Sequence, residues 1–506
     1  MKTDFSFPNR QNLRGILVLF FMNIIKGIKH NFYVLLPLLS SDFREKYLFT
    51  ILIVAAVVIV VLLLYSYKSY RNFVFHIEEQ RFFLKHGVLR FSKTEIPFDR
   101  IQNINIKQNL IQQVLNVVGL EIETAGQNSA EIQIRALKRD VADELKSILL
   151  QKAAQQTKVE KEDGSAENIA EEKEIAVETK SPQRVFSLDF LQLIKVGMSS
   201  NYLKGFGIML AFFGTIFQII EKQFEEYLDA TFENMDASVM EGFNSFFAGL
   251  FVFIIVVSFL VTVISVVIKY FDLKLTKTGD DYEVEYGLVK RVSQVIKKNK
   301  TQVFEVEENP IKDLLKIKNI FVSQASAQEL SKKKKIGIVG VSDENLSQLF
   351  ESLFDLPYPQ HFITAKSSYR LLFRVLIKYI VLSLLIGIIL YNWQGLMFST
   401  MITSFIFVIF FYVAYKKVQK SYIGVNDDVL QVHGGSIHTI NKYVSTYKIQ
   451  SIVMKRNLFQ RRNGHADIII YTASGQLRIA YLKYAEAKKV INYLTYKVES
   501  SNQSWI

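Results

Sequence analysis

The sequence contains no cysteine and only two tryptophans in 506 residues. Without cysteine the chain cannot form disulfide bonds, thiolate zinc sites or a cysteine nucleophile. The phosphate-binding pattern GxxxxGK(S/T) and the nucleophile-elbow pattern GxSxG are absent as well. His433 and His438 are five residues apart, which could suggest a metal site, but no third acidic or histidine partner lies nearby, so we interpret them as turn or surface residues. We therefore predict a protein that is not an enzyme and uses neither a cofactor nor a metal.

The composition is half apolar, with forty phenylalanines and a mean hydropathy of +0.17. A soluble protein seldom carries this much apolar sequence, so we expect a membrane protein. The formal net charge of +13 would suit either nucleic acid or an anionic membrane surface. The apolar segments favour the membrane, and no recognition helix or aromatic–basic pattern indicates nucleic acid. The expected partner is the lipid bilayer, with no nucleic acid.

Long apolar segments occur in three pairs along the chain. Tyr47–Tyr67 is the clearest, because it carries no charge and can cross about 30 Å of hydrocarbon. Residues 13–40 are interrupted by Lys26, Lys29 and His30, so we expect an interfacial start and no cleaved signal peptide. The other pairs are residues 202–220 with 245–268, preceded by an amphipathic turn at Phe186–Leu193, and residues 371–391 with 396–415. The sequence thus predicts three transmembrane helical hairpins.

Basic residues are distributed unequally on the two sides of these hairpins. The loops that join the two legs hold only Arg44, Lys46 and Lys222. The outer flanks hold Arg10, Arg14, Lys68, Arg71, Lys195, Lys204, Lys269, Arg370, Arg374, Lys378, Lys416 and Lys417. Because cytoplasmic flanks carry the excess of Lys and Arg, we expect both termini and the segments between the hairpins to be cytoplasmic.

A repeated pattern follows each hairpin. It is clearest in Lys93–Gln127, where alternating apolar residues mark two strands around a helical or turn-like insert. Measured from a glutamine, each copy has a glycine fifteen residues before, an asparagine seven after and an alanine twenty-three after. The sets are Gly87, Gln102, Asn109, Ala125; Gly287, Gln302, Asn309, Ala325; and Gly435, Gln450, Asn457, Ala473. Offsets kept this well indicate three copies of one unit.

Each copy contains several short strands and then an amphipathic helix. In the first copy Val141, Leu145, Ile148 and Leu149 have helical spacing. This order predicts a partly open β-barrel capped by its C-terminal helix, and hence an α+β membrane protein in which each hairpin precedes one such unit. The predicted boundaries are residues 1–71 for an interfacial helix and hairpin 1, 72–151 for unit 1, 152–184 for a disordered charged linker, 185–269 for hairpin 2, 270–355 for unit 2, 356–420 for hairpin 3 and 421–498 for unit 3.

The first copy carries a pattern of residues that is shared with a known family. The pattern consists of His86–Arg90, Ile96–Asn103, Gly119–Leu120 and Glu123–Gly126. Through it, and through its alternating hairpins and β units, the chain resembles the YdbT-like bacterial membrane proteins, which carry repeated bacterial pleckstrin-homology (PH)-like domains. The resemblance implies the bacterial cytoplasmic membrane, PH-like open barrels and no agreed enzymatic activity. The second copy has Ser323–Ser326 in place of the Thr-Ala-Gly turn, so binding properties would transfer poorly between copies.

The residues that define the repeat are interpreted as structural. Asp99 and Arg100 precede the core strand, and we expect a turn in which Asp99 caps backbone amides. The predicted structural set is Gly87, Arg100, Gln102, Gly126, Gly287, Gln302, Gly435 and Gln450.

Two basic clusters are the candidate functional residues. Lys332, Lys333, Lys334 and Lys335 lie in an expected hairpin of the second unit, and Arg461 and Arg462 lie in the insert of the third. Each Lys or Arg near an anionic leaflet contributes on the order of 1 kcal/mol, so these clusters would hold the units on the membrane surface. Solvated loop charge is an equally good interpretation.

Two functions from different classes remain. The first is a non-enzymatic membrane scaffold whose units bind one another, a partner or lipid headgroups, in envelope stress or resistance to membrane-active agents. Exposed barrel edges make self-association, or a smaller related membrane protein, the expected partner. The second is a transporter or export component, but ionisable residues are nearly absent from the inner parts of the spans. The sequence therefore favours the scaffold.

Overall fold

The computed structural model describes residues 4–30, 41–124, 132–162, 183–200, 207, 209, 237–325, 335–359, 361–394 and 396–501. These residues form a mixed α/β structure with several antiparallel sheets and long apolar helices. Gly126, Lys332, Lys333 and Lys334 lie outside the described residues.

The helices fall into long apolar ones and shorter ones that belong to the β units. They are α1 (Gly15–His30), α2 (Ser41–Arg71), α3 (Leu110–Val114), α4 (Arg139–Glu162), α5 (Phe190–Met198), α6 (Ala237–Tyr270), α7 (Pro310–Leu314), α8 (Asp343–Phe354), α9 (Arg370–Gln394), α10 (Leu396–Gln419), α11 (Leu458–Arg462) and α12 (Tyr484–Glu499). The helix α4 continues to Glu162, and so includes the first residues of the segment predicted as a linker.

Within the described part of the chain, four helices are long and apolar enough to cross a membrane. These segments are Glu45–Arg71, Gly249–Tyr270, Arg370–Ile388 and Ser399–Gln419. Few of their side chains are buried inside the protein, as expected of surfaces that face lipid. The predicted span 202–220 lies outside the described residues except for Gly207 and Met209, so it stays a prediction.

Each unit has four strands in its N-terminal half, called here its N-sheet. The N-sheets are β1 (Asn9–Arg10), β2 (Val74–Glu78), β3 (Arg81–His86) and β4 (Ser92–Pro97); β8 (Gln183–Ser187), β9 (Lys274–Thr278), β10 (Asp281–Tyr286) and β11 (Arg291–Ile296); and β15 (Ile363–Lys366), β16 (Tyr422–Val425), β17 (Val429–Gly435) and β18 (Thr439–Ser445). The first strand of each N-sheet precedes the long apolar helices of its unit, and the other three follow them. The membrane segments are thus inserted between the first and second strands of each unit.

These first strands were not predicted from the sequence. The amphipathic turn expected at Phe186–Leu193 is instead the end of β8 followed by α5, and β15 lies within the segment assigned to hairpin 3. Strands of two to five residues contain too few alternations to stand out from their surroundings.

The C-terminal half of each unit, its C-sheet, contains three antiparallel strands. They are β5 (Ile101–Gln108), β6 (Val118–Thr124) and β7 (Ile132–Leu137); β12 (Thr301–Glu308), β13 (Lys318–Gln324) and β14 (Ile336–Val341); and β19 (Ile449–Lys455), β20 (His465–Thr472) and β21 (Gly475–Lys483). The last helix of each unit buries one face against these strands through aliphatic side chains, among them Leu145, Leu149, Leu346, Leu353, Ala487 and Leu494.

Neighbouring units are joined by continuous sheets. The strand β5 of the first unit pairs with β11 of the second, and β12 of the second pairs with β18 of the third. Each pairing merges a C-sheet with the next N-sheet into one seven-stranded antiparallel sheet. The hydrophobic core of the second unit also includes Val429 and Tyr443 of the third. The three units therefore form a row connected by backbone hydrogen bonds.

Candidate membrane interface

The turn after the third strand of each N-sheet has the same backbone geometry in all three units. Gly87, Gly287 and Gly435 have φ angles of +135°, +112° and +110°. A Cβ at these positions would lie 2.1, 2.0 and 2.1 Å from the carbonyl oxygen three residues later in the chain. L-residues rarely adopt such angles, and the close carbonyl leaves no room for a side chain. The repeated glycine is therefore required by the backbone.

Alanine at Gly435 is expected to destabilise the third unit by at least about 2 kcal/mol, because it combines a left-handed φ with a clash against the His438 carbonyl. The neighbouring Gly434 provides a matched control, since a Cβ there meets nothing within 4 Å. Thermal unfolding of the Gly435→Ala and Gly434→Ala variants in detergent measures the difference. Equal unfolding temperatures would contradict the strained turn.

The repeated glutamine marks a β-bulge in each unit. The pairing register shifts between Ile101 and Asn103, between Thr301 and Val303, and between Ile449 and Ser451, on either side of Gln102, Gln302 and Gln450. Gln302 is fully buried whereas Gln450 is exposed. The shared feature is thus the irregular backbone, which bends the first strand of each C-sheet.

The repeated asparagine begins a short helix in each unit. Asn109, Asn309 and Asn457 are the N-cap residues of α3, α7 and α11, and each side-chain oxygen accepts a backbone N–H. The donors are the N–H groups of Gln112 (2.9 Å), Lys312 (2.8 Å) and Gln460 (2.8 Å). Asparagine is among the best N-cap residues, so its fixed position is explained by helix initiation.

The short helices and the glycine turns expose large apolar side chains to the outside of the protein. The most exposed are Leu89 (92%), Val114 (84%), Leu314 (81%), Leu458 (81%) and Phe459 (74%), together called here the apolar rim. An isolated exposed leucine needs no explanation, but an exposed apolar side chain on the short helix of each unit indicates a surface that contacts something apolar.

Hydrogen bonds place the apolar rim beside the segments that lead into the membrane helices. The Arg14 side chain, next to the start of α1, donates to the Leu115 carbonyl after α3 (2.9 Å). The Asn309 side chain donates to the Ser199 carbonyl at the end of α5 (2.8 Å). Asn72, which follows α2, donates to the Gly87 carbonyl (2.9 Å). In the first unit the Gly87 turn thus lies beside the end of the membrane helix α2, and the ends of α3 and β12 lie beside α1 and α5.

Of the two predicted basic clusters, the structure describes Arg461, Arg462 and Lys335. Arg461 and Arg462 are exposed on α11, beside the rim residues Leu458 and Phe459. Lys335 lies at the start of β14, and its Nζ contacts Glu305 at 2.7 and 2.8 Å. The strand β13 runs from the side of α7 to the side of Lys335, and strand geometry separates its two ends by about 20 Å.

Arg100 and Asp99 are exposed in a 3-10 turn over Phe98–Arg100, directly before β5. His433 hydrogen-bonds Asn441 and stacks on Tyr422 with ring centroids 4.6 Å apart, while His438 lies 3.4 Å from Glu307. Among the residues that the structure describes, no group of three His, Asp or Glu side chains is suitable for a metal ion.

A buried carboxylate connects the third unit to its membrane helix. Asp467 is 2% exposed and accepts hydrogen bonds from Gln460 Nε2 (2.5 Å), the Tyr481 N–H (2.9 Å), Arg478 Nη2 (2.5 Å) and Arg374 Nη1 (3.3 Å). Burial would raise the pKa of Asp467, but the hydrogen bonds and the Arg478 charge outweigh it and lower the pKa. Since Arg374 belongs to α9 and Gln460 to α11, Asp467 connects the membrane helix and the rim. Its sequence neighbourhood gave no sign of this role.

Ion pairs cross both joints between units. At the first, Lys146 Nζ lies 2.6 Å from Glu283 Oε1, and Arg139 pairs with Glu285 at 2.9 Å. Burial would raise the pKa of Glu283, but the Lys146 charge and its hydrogen bond outweigh this effect and lower the pKa. At the second joint Lys442 lies 3.7 Å from Glu305, which is 1% exposed. Each joint therefore has matched charges as well as shared strands.

Long apolar helices and three joined β units define a membrane protein built from repeats. The sequence pattern of the bacterial PH domain (bPH_2) matches residues 32–153, 232–356 and 371–498, one match for each unit. Because these matches cover more than half of the chain, the protein belongs to the bacterial PH domain family. It is also 24% identical over 405 residues to the UPF0699 transmembrane protein YdbT of Bacillus subtilis (strain 168), covering 78% of each chain. The resemblance inferred from the sequence is confirmed.

Proposed function

We propose that this protein is a non-enzymatic scaffold of the bacterial cytoplasmic membrane. Three transmembrane hairpins hold three PH-like open barrels, each capped by its last helix, in a row on the cytoplasmic surface. The row offers binding sites for proteins or lipid headgroups, in a role that supports the envelope under stress or against membrane-active agents. The excess of basic residues on the outer flanks of the hairpins supports this orientation.

The observation that carries this proposal is the apolar rim. Its side chains are exposed on all three units, and the hydrogen bond from Asn72, next to the membrane helix α2, to the Gly87 carbonyl supports a position of the rim near the bilayer. At this position the rim dips into the headgroup region, where burial of apolar surface stabilises each unit against the bilayer. Because the rim of each unit would be inserted, the row of three units lies flat on the membrane.

Of the six basic residues predicted to contact the membrane, Arg461 and Arg462 suit this role best. They follow Leu458 and Phe459 on the same short helix, so their guanidinium groups would reach lipid phosphates while the rim is inserted. Lys335 instead contacts Glu305, which also pairs with Lys442 of the third unit. We therefore assign Lys335 to the joint between the second and third units.

The apolar rim can be tested with fluorescent probes because the chain has no cysteine. Leu314→Cys and Leu458→Cys are each labelled with an environment-sensitive dye, and the full chain is placed in nanodiscs containing lipids with a quencher near the headgroup. If the rim is inserted, fluorescence falls by at least about twofold.

Asp280→Cys is the control for this experiment. It lies in the exposed turn between β9 and β10, at the opposite end of β10 from the Gly287 turn. A probe there should remain unquenched. Similar fluorescence of all three labelled variants with and without the quencher would overturn the membrane-surface scaffold.

A further inference from the structure

The two joints between units use the same strand register. At the first joint Arg291 lies opposite Gln108, and at the second Thr439 lies opposite Glu308. In both cases a residue four positions after the repeated glycine faces a residue six positions after the repeated glutamine. Two independent sequences at the same register indicate a specific mode of pairing rather than a chance contact.

Each half of this joint is also present, unpaired, at an end of the row. In the sheets formed by the described residues, β4 is the end strand of the first N-sheet, and β19 is the end strand of the last C-sheet. β4 corresponds to β11 and β18, and β19 corresponds to β5 and β12. A free edge that carries Ile452, Val453 and Met454 is a ready template for another strand.

The side chains at the two free edges match each other when the common register is applied. The register places Val453 opposite Thr94, where the second joint has the ion pair of Glu305 with Lys442. Two β-branched residues form a favourable cross-strand pair.

The last helix of the third unit gives a second match. Ile491 on α12 occupies the place of Lys146 on α4, and Phe83 on β3 occupies the place of Glu283. The first joint has the ion pair of Lys146 with Glu283 at this position. The two ends of the row have the apolar residues Ile491 and Phe83 there instead, and both are half-buried. The first pair is complementary in charge, and the second pair is complementary because both side chains are apolar.

We propose that β19 of one copy pairs with β4 of a second copy, in the register of the internal joints, so that copies assemble head to tail. The inference extends the proposed scaffold by naming its partner, a second copy of this chain. Such an interface is heterologous, so it leads to a closed ring or an open row. Because every unit is joined to long apolar helices, both forms lie in the plane of the bilayer.

Engineered cysteines test this pairing in the full chain. The register places Ser92 of one copy opposite Lys455 of the next, and both side chains are exposed. Ser92→Cys and Lys455→Cys are made in two differently tagged full-length copies, co-expressed, and oxidised in native membranes. We expect a disulfide-linked species of twice the 58.4 kDa mass that carries both tags, about tenfold above either variant alone, because opposite residues satisfy disulfide geometry.

The internal joint provides a positive control. Val292 and Lys107 occupy the equivalent positions at the first joint and lie opposite each other. The Lys107→Cys/Val292→Cys chain should close within one copy and show no increase in mass. An off-register pair, Ser92→Cys with Met454→Cys, points to opposite sheet faces and should link poorly.

Three results would overturn head-to-tail assembly. One is formation of the Lys107→Cys/Val292→Cys disulfide within one chain while Ser92→Cys and Lys455→Cys form no disulfide between copies. Another is linkage by Ser92→Cys alone, which indicates a symmetric contact. The third is a linked product whose mass fits a different protein. Quenching of the rim probes measures membrane contact independently of the disulfide linkage. Failure of the head-to-tail assembly can therefore be distinguished from failure of the proposed scaffold.

Discussion

Replacing Lys146 with glutamate is expected to open the joint between the first and second units. Lys146 is 8% exposed, and its Nζ lies 2.6 Å from Glu283 Oε1 and 3.4 Å from Ser293 Oγ. The variant places two carboxylates side by side with little access to water, and breaking a buried ion pair costs about 3–5 kcal/mol. Closure of the Lys107→Cys/Val292→Cys disulfide across the same joint measures the effect, and we expect it to slow strongly.

A reversed pair tests whether the contact itself is responsible. Adding Glu283→Lys to Lys146→Glu restores opposite charges across the joint and should recover most of the closure rate. Lys138→Glu is the matched control, because Lys138 is exposed just before the same helix and the change in net charge is identical. Normal closure in the Lys146→Glu variant would show that the strands alone hold the joint.

The repeat could be predicted from the sequence because its fixed residues are set by local backbone chemistry. Gly287 occupies a turn with φ of +112°, Gln302 lies at a bulge, and Asn309 caps a helix. Each requirement depends on a few neighbouring residues, so the same residue types recur at the same spacing. The family and the apolar spans followed from these patterns.

The joints could not be predicted in the same way, because strand pairing between units is a non-local choice. Nothing near Gln108 or Arg291 in sequence shows that these residues face each other. Asn105 and Glu305 stand at the same position of the first C-sheet strand, and both are 1% exposed, but this burial is visible only in the structure.

Candidate residues were selected from the sequence by their charge, so they included Arg461 and Arg462 but not the apolar rim. Arg461 and Arg462 led to α11, but the exposed Leu458 and Phe459 beside them have the ordinary apolar character of core residues. Sequence alone does not show which apolar residues of a short helix face outward. Comparison of the three copies would have shown an apolar residue two positions after each asparagine cap, at Ile111, Ile311 and Phe459.

Removal of the charge at Asp467 is expected to separate the third unit from its membrane helix. In Asp467→Asn the amide oxygen can still accept from Gln460 and Tyr481. The amide NH2 group takes the place of Oδ2, so Arg478 and Arg374 lose their acceptor. We expect a loss of about 3 kcal/mol or more. Hydrogen exchange of α11 and β20 in nanodiscs measures it. Asp427→Asn is the control, because Asp427 makes an exposed contact with Lys497 that contributes little.

The same carboxylate should make the third unit sensitive to acid. The pKa of Asp467 is lower in the folded protein than the ordinary value of about 3.9 for an unfolded chain, so folding favours its charged form. Its contribution to stability is therefore complete above about pH 4 and is lost as pH falls through the lower folded pKa. Exchange of α11 should accelerate below about pH 4 in the wild type, and less steeply in Asp467→Asn. Equal acid slopes in the two proteins would show that other carboxylates, not Asp467, set the acid stability of this unit.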